Sequence, residues 1–164
     1  MKPMKMMFAF VAIATLLFST VGTVSATGDS SWFDMTNCAL CAPLMAEKGL
    51  MEHMKFENHK VATGMISVTT VDPAFDEAYQ HAHQKMTELS MKLASGEKMP
   101  LCGYCQSLNG LMAAGAKMDN FKTGAGYVMT ITATDPELIA KIHAHLDRAA
   151  AEMGKVEKKE GPSQ

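Results

Sequence analysis

The pattern Met-x-x-Cys-x-x-Cys-x-x-Leu is written twice in this chain, as "MTNCALCAPL" from Met35 and "MPLCGYCQSL" from Met99. These two stretches hold all four cysteines: Cys38, Cys41, Cys102 and Cys105. The copies stand 64 residues apart, and other landmarks keep nearly the same offset. Asn-x-Lys-x-x-x-Gly begins at Asn58 and again at Asn120, and an Asp-Pro pair ends at Pro73 and again at Pro136. Landmarks repeated in one order read as two copies of a unit of about 60 residues. Such a chain must find one packing that serves both halves, so the expected architecture has a pseudo-two-fold axis.

Periodicity supplies the elements of each half. After the first CxxC, Leu44, Met45, Met51 and Met54 fall near helical spacing, with Pro43 suited to a first turn, and predict a helix over residues 42–54. Residues 55–64 and 65–72 read as the two strands of a hairpin, the second rich in β-branched side chains. Asp72-Pro73 then opens a helix, Asp as N-cap and Pro in the first turn. Its apolar stripe runs through Phe75, Ala78, Tyr79, Ala82, Met86, Leu89 and Leu93. The second half repeats this plan. A helix over 106–118 is weakened by Gly110 and Gly115, and a strand follows in "YVMTITATD". Asp135-Pro136 then starts a helix carrying Leu138, Ile142, Leu146, Ala149 and Met153. Residues 32–36 are expected to add a short strand. The fold class is therefore α+β: a duplicated αββα unit forming a four-stranded antiparallel sheet covered by helices.

The ends set the boundaries. Lys2 and Lys5, an apolar run over 8–18 and a small-x-small ending at Ala26 have the layout of a secretory signal peptide over residues 1–26. The apolar run is shorter than the roughly 20 residues a bilayer span requires, so no stable membrane span is expected. Residues 27–95 form the first CxxC repeat and 96–153 the second, within one compact domain. Residues 154–164 are charged, end in Gly-Pro-Ser-Gln, and read as a disordered tail. The first 26 residues carry two lysines and no acid, so the net charge of −2 becomes −4 without them. A mildly acidic chain without a basic cluster does not suit nucleic acid as partner. The chain is expected to be exported, to the periplasm or beyond.

The order short strand, CxxC, helix, strand, strand, helix resembles the heavy-metal-associated domain, a ferredoxin-like module whose CxxC loop leads into its first helix. The resemblance implies binding of Cu(I) or a similar soft ion by Cys38 with Cys41 and by Cys102 with Cys105. It also implies exchange of that ion with an envelope metal-handling protein. The residue chemistry runs beside it. Two thiols two residues apart at a helix start converge on one point, and helix N–H dipoles favour their thiolates. Thiolates with the thioethers of Met35 and Met99 make a ligand set for Cu(I), whereas four thiolates suit Zn²⁺. Duplication offers either two sites of two cysteines or one converged site of four. On these grounds copper(I) stands ahead of zinc.

The same cysteines support two other readings. "CGYC" (residues 102–105) is similar in its dipeptide interior to exported disulfide isomerases, which implies a thiol–disulfide oxidoreductase. In an oxidising compartment the four thiols can also simply close into disulfides that staple a binding module. Most of the chain's 16 methionines read as flexible core filling. His81, His83, His143 and His145 form two His-Ala-His motifs. Residues two apart on a helix diverge by about 200°, so these are expected to be surface histidines. No nucleophile–base pair, carboxylate pair or glycine-rich phosphate loop is present to suggest another enzyme class.

Overall fold

The structure is a computed structural model and describes residues 32–160. The proposed signal segment lies outside the described residues. The element order is α1 (Ala42–Ala46), β1 (Met54–Val61), β2 (Gly64–Val71), α2 (Asp76–Ala94), α3 (Gly103–Ala113), β3 (Lys117–Thr123), β4 (Gly126–Thr132) and α4 (Pro136–Glu160). The four strands make one antiparallel sheet in the order β1-β2-β4-β3, so each hairpin contributes one edge and one central strand. The fold is α+β, as the sequence pattern predicts.

The hairpins meet through β2 and β4, whose register is symmetric about the Ser67–Met129 pair. At one end Gly64 faces Thr132, and at the other Gly126 faces Thr70. Both glycines have φ near +150°, and a Cβ on either would lie 2.0 Å from a backbone oxygen of the opposite hairpin, that of Ile131 or Thr69. These are the last residues of the two Asn-x-Lys-x-x-x-Gly stretches. Glycine is required there because the backbones touch.

Period-two alternation selects the buried side of the sheet. Met65, Ser67, Thr69 and Val71 of β2 are buried, as is Ile131 of β4, which pairs with Met65. Two apolar cores form on this side. Leu44, Leu50, Met54, Val71, Tyr79 and Ala82 build the first, with the Tyr79 and Tyr127 rings 4.4 Å apart. Met65, Leu111, Ile131, Leu138, Ile142 and Leu146 build the second. Removing a side chain such as the fully buried Ile142 by substitution with Ala costs about 2–5 kcal/mol. Methionines 54 and 65 are core residues, and Met35, Met51, Met86, Met112, Met118 and Met129 pack against the cores.

Four local expectations are corrected. The helix predicted over 42–54 ends at Ala46, because Gly49 turns left-handed (φ 77°) and a 3₁₀ turn over Leu50–His53 leads Met54 into β1. The second such helix stops at Ala113, where Gly115 (φ 100°) lets Ala116 N–H reach back to the Leu111 carbonyl. Residues 32–36 form turns, not a strand, because the Asp34 side chain accepts from Asn37 N–H and its carbonyl accepts from Cys38 N–H. Finally, α4 continues to Glu160, well into the stretch read as a tail. Gly154 alone does not stop it, and Lys155 pairs with Glu152 one turn back at 2.8 Å. Both Asp-Pro starts behave as predicted: Asp72 caps Ala74 N–H at 3.1 Å and Asp135 caps Glu137 N–H at 3.0 Å.

Candidate metal centre

Each CxxC sits where the chain turns into a helix. In the first, the Cys38 carbonyl accepts from Cys41 N–H at 3.0 Å and Ala42 N–H at 2.8 Å, which folds the second cysteine back beside the first. In the second, Cys102 precedes α3 in an extended conformation and Cys105 lies in its first turn, with Gln106 N–H bonded to the Cys102 carbonyl. The two loops then join. Ala39 N–H donates to the Pro100 carbonyl at 2.9 Å, and Tyr104 N–H to the Trp32 carbonyl at 3.0 Å.

This joining brings all four sulfurs together. The Sγ atoms of Cys38, Cys41, Cys102 and Cys105 lie within 4.8 Å of one another. Cys41 stands 3.5 Å from Cys105 and 4.0 Å from Cys102. All four are free thiols. Cys38, Cys102 and Cys105 are buried, at 0%, 2% and 6% exposure, under Leu40, Leu101 and Tyr104, and Cys41 is half-buried. Four cysteines so placed can bind a metal ion.

The thiols do not ionise independently. Bonds from Cys105 and then Cys41 hold Cys38 far below the usual thiol range. Cys105 is pushed far up by its bonds to Cys38 and Cys41 and by burial. For Cys41 the bond with Cys105 pulls down, but it is outweighed by the bond with Cys38, by burial and by the Cys38 charge, so Cys41 also rises. The cluster therefore concentrates negative charge on Cys38 while Cys41 and Cys105 keep their protons. Further thiolates need a cation among them, because unpaired buried charge is costly.

Aromatic groups close one side. Tyr104 packs between Phe33 and His145, at 5.5 and 4.7 Å between ring centroids. Burial, the largest cause, pushes its hydroxyl up to about 12. Trp32 lies over Gly103, where an added Cβ would come 2.8 Å from the indole Cε3. The Arg148 guanidinium covers the Trp32 ring at 3.9 Å.

His145 corrects the expectation of surface histidines. It is buried, its Nδ1 lies 2.9 Å from Ser107 Oγ, and burial lowers its pKa. Its spacing after Ile142 and before Ala149 on the buried stripe was the signal available in the sequence. His143 is half-buried and donates from Nε2 to the carbonyls of Val61 and Gly64 at 3.0 Å, pinning the first hairpin turn. His81 is exposed and bonds Glu47 at 2.6 Å, and His83 stacks beside Tyr127. Trp32 and Tyr104 also belong to the surroundings of the cluster and carried no signal at the level of motifs.

Met35 packs against the core of Leu44 and Tyr79, and Leu40, Leu101 and Tyr104 are apolar side chains packed against the sulfurs. Among the described residues, Cys38, Cys41, Cys102 and Cys105 are the one group of cysteine, histidine and acidic side chains clustered closely enough to hold an ion. No helix among them is long and apolar enough to cross a membrane.

Fold and site together define an α+β chain with a largely buried cluster of four thiols where its two CxxC loops meet. No family model, curated protein or solved structure matches the chain, so its chemistry has to be read from the cluster itself.

Proposed function

We propose that this chain is an exported metal-binding protein that holds one ion, Zn²⁺ ahead of Cu(I), between its two CxxC loops. The observation that carries the reading is the mutual spacing of four sulfurs within 4.8 Å. A tetrahedral ion with Zn–S bonds of about 2.3 Å sets its sulfurs about 3.8 Å apart. The Cys41–Cys105 and Cys41–Cys102 distances of 3.5 and 4.0 Å bracket that value, so little movement is needed for binding. A set of four thiolates is typical of closed tetrahedral sites. What supports zinc over copper(I) is the convergence of four thiols, a ligand set that suits Zn²⁺. Export is supported by the charged start, short apolar run and small-x-small ending of residues 1–26. The remote likeness to heavy-metal-associated domains points the same way, toward a partner in the envelope that gives or receives the ion.

Metal analysis of protein purified without oxygen tests the reading. About one equivalent of zinc per chain is expected, lost in the Cys38→Ser/Cys102→Ser double variant. Copper(I) at the same stoichiometry would reverse the order of metals. Metal-free protein with a readily reduced CxxC, at a potential of about −120 to −200 mV, would replace the reading with a thiol–disulfide oxidoreductase.

A further inference from the structure

The four sulfurs are not equally reachable. Cys38, Cys102 and Cys105 are within 6% of full burial, whereas Cys41 alone keeps appreciable surface. It heads α1, a helix of only five residues that ends in an extended residue at Glu47. Its sulfur stands 3.5 Å from Cys105, in the other loop. A disulfide requires about 2.05 Å, so closing that pair takes a shift of roughly 1.5 Å, within reach of a short helix followed by a glycine turn. Cys38 is placed differently. It has no exposed surface, and its carbonyl is held by the N–H groups of Cys41 and Ala42, which resists rotation of the loop onto itself.

We infer that Cys41 is an oxidation site for small hydroperoxides such as hydrogen peroxide, and that the first bond formed is the cross-loop disulfide Cys41–Cys105. Cys41 sulfur attacks the peroxide, the O–O bond breaks, and the sulfur is oxidised by two electrons to a sulfenic acid, its thiol proton leaving with the hydroxide as water. Cys105 sulfur then attacks that sulfur, forming the S–S bond and breaking S–O, and its proton leaves with the hydroxyl group as a second water. In sum two thiols and one peroxide give one disulfide and two waters. This inference rests on the metal reading for its consequence: with Cys41 and Cys105 bonded to each other, only Cys38 and Cys102 remain, too few to retain an ion, which leaves. The bond also ties the halves of the chain together covalently where the ion tied them before.

The experiment treats the protein as purified with one equivalent of hydrogen peroxide, alkylates remaining thiols under denaturing conditions and maps the linked peptides. The Cys41–Cys105 link is expected at about tenfold excess over any other, with one zinc per link passing to a chromophoric chelator. Cys41→Ser should slow peroxide consumption about tenfold. Cys38→Ser should still form the cross-loop link; if that variant does not fold, the map of the unmodified chain decides. A first link of Cys38–Cys41 or Cys102–Cys105 would overturn the inference. Protein that carries no metal yet forms Cys41–Cys105 would support the inference while defeating the metal reading.

Discussion

On the proposed zinc reading, removing the ion should destabilise the chain in a way that pH controls. At a buffered free zinc concentration 1,000 times the Kd, binding to the folded state alone adds about 4 kcal/mol. A domain of this size answers with about 3–5 °C per kcal/mol, so the Tm should rise by about 12–20 °C over the chelated protein. The pH dependence follows from the cluster's ionisation. Cys41 and Cys105 have raised pKa values and are protonated at neutral pH, while Cys38 is lowered and has already lost its proton. Binding must therefore displace at least two protons, from Cys41 and Cys105. Protons compete with the metal, so affinity falls as pH falls, about 100-fold per pH unit for two protons. That is about 2.7 kcal/mol per unit at fixed free zinc, enough to remove most of the Tm gain between pH 7.5 and 6.5. Calorimetry with buffered zinc and with chelator at both pH values measures it. An unchanged Tm on chelation at pH 7.5, or an equal shift at both pH values, would refute the reasoning.

Other outcomes follow from single contacts. Gly103→Ala places a methyl 2.8 Å from Trp32 Cε3, so the indole must move; a loss of about 1–3 kcal/mol and a red shift in emission from the chain's one tryptophan are expected. Unchanged fluorescence would show that Trp32 does not rest on Gly103. Gly126→Ala sets a Cβ 2.0 Å from the Thr69 carbonyl at the junction of β2 and β4, where no flexible side chain can yield, and should cost about 3 kcal/mol or more in urea unfolding. Gly110→Ala, with open space around it on α3, should instead stabilise by about 0.5–1 kcal/mol. His145 should titrate below its ordinary 6.5 by NMR, because burial disfavours the imidazolium. A value at or above 6.5 would mean that the ring reaches water or a carboxylate.

The division between sequence and structure is clearest at particular residues. Strands 55–64 and 65–72, the Asp72 and Asp135 caps and the stripes of α2 and α4 were legible because each depends on neighbours a few positions away. The cysteine pairs were legible as site residues because two thiols at fixed spacing need no tertiary contact to be recognised. Gly49 was missed as a helix stop because a glycine inside an apolar period looks tolerable until the chain must turn into β1. Whether two sites or one existed depended on Ala39 meeting Pro100 and on Trp32 meeting Gly103, contacts across more than 60 residues that no local pattern encodes. The same convergence left Cys41 as the sulfur nearest to solvent. Local spacing determines which side chains turn together at a helix start. Only the packing of one half against the other decides what those side chains face, how much water they keep, and therefore what chemistry they can support.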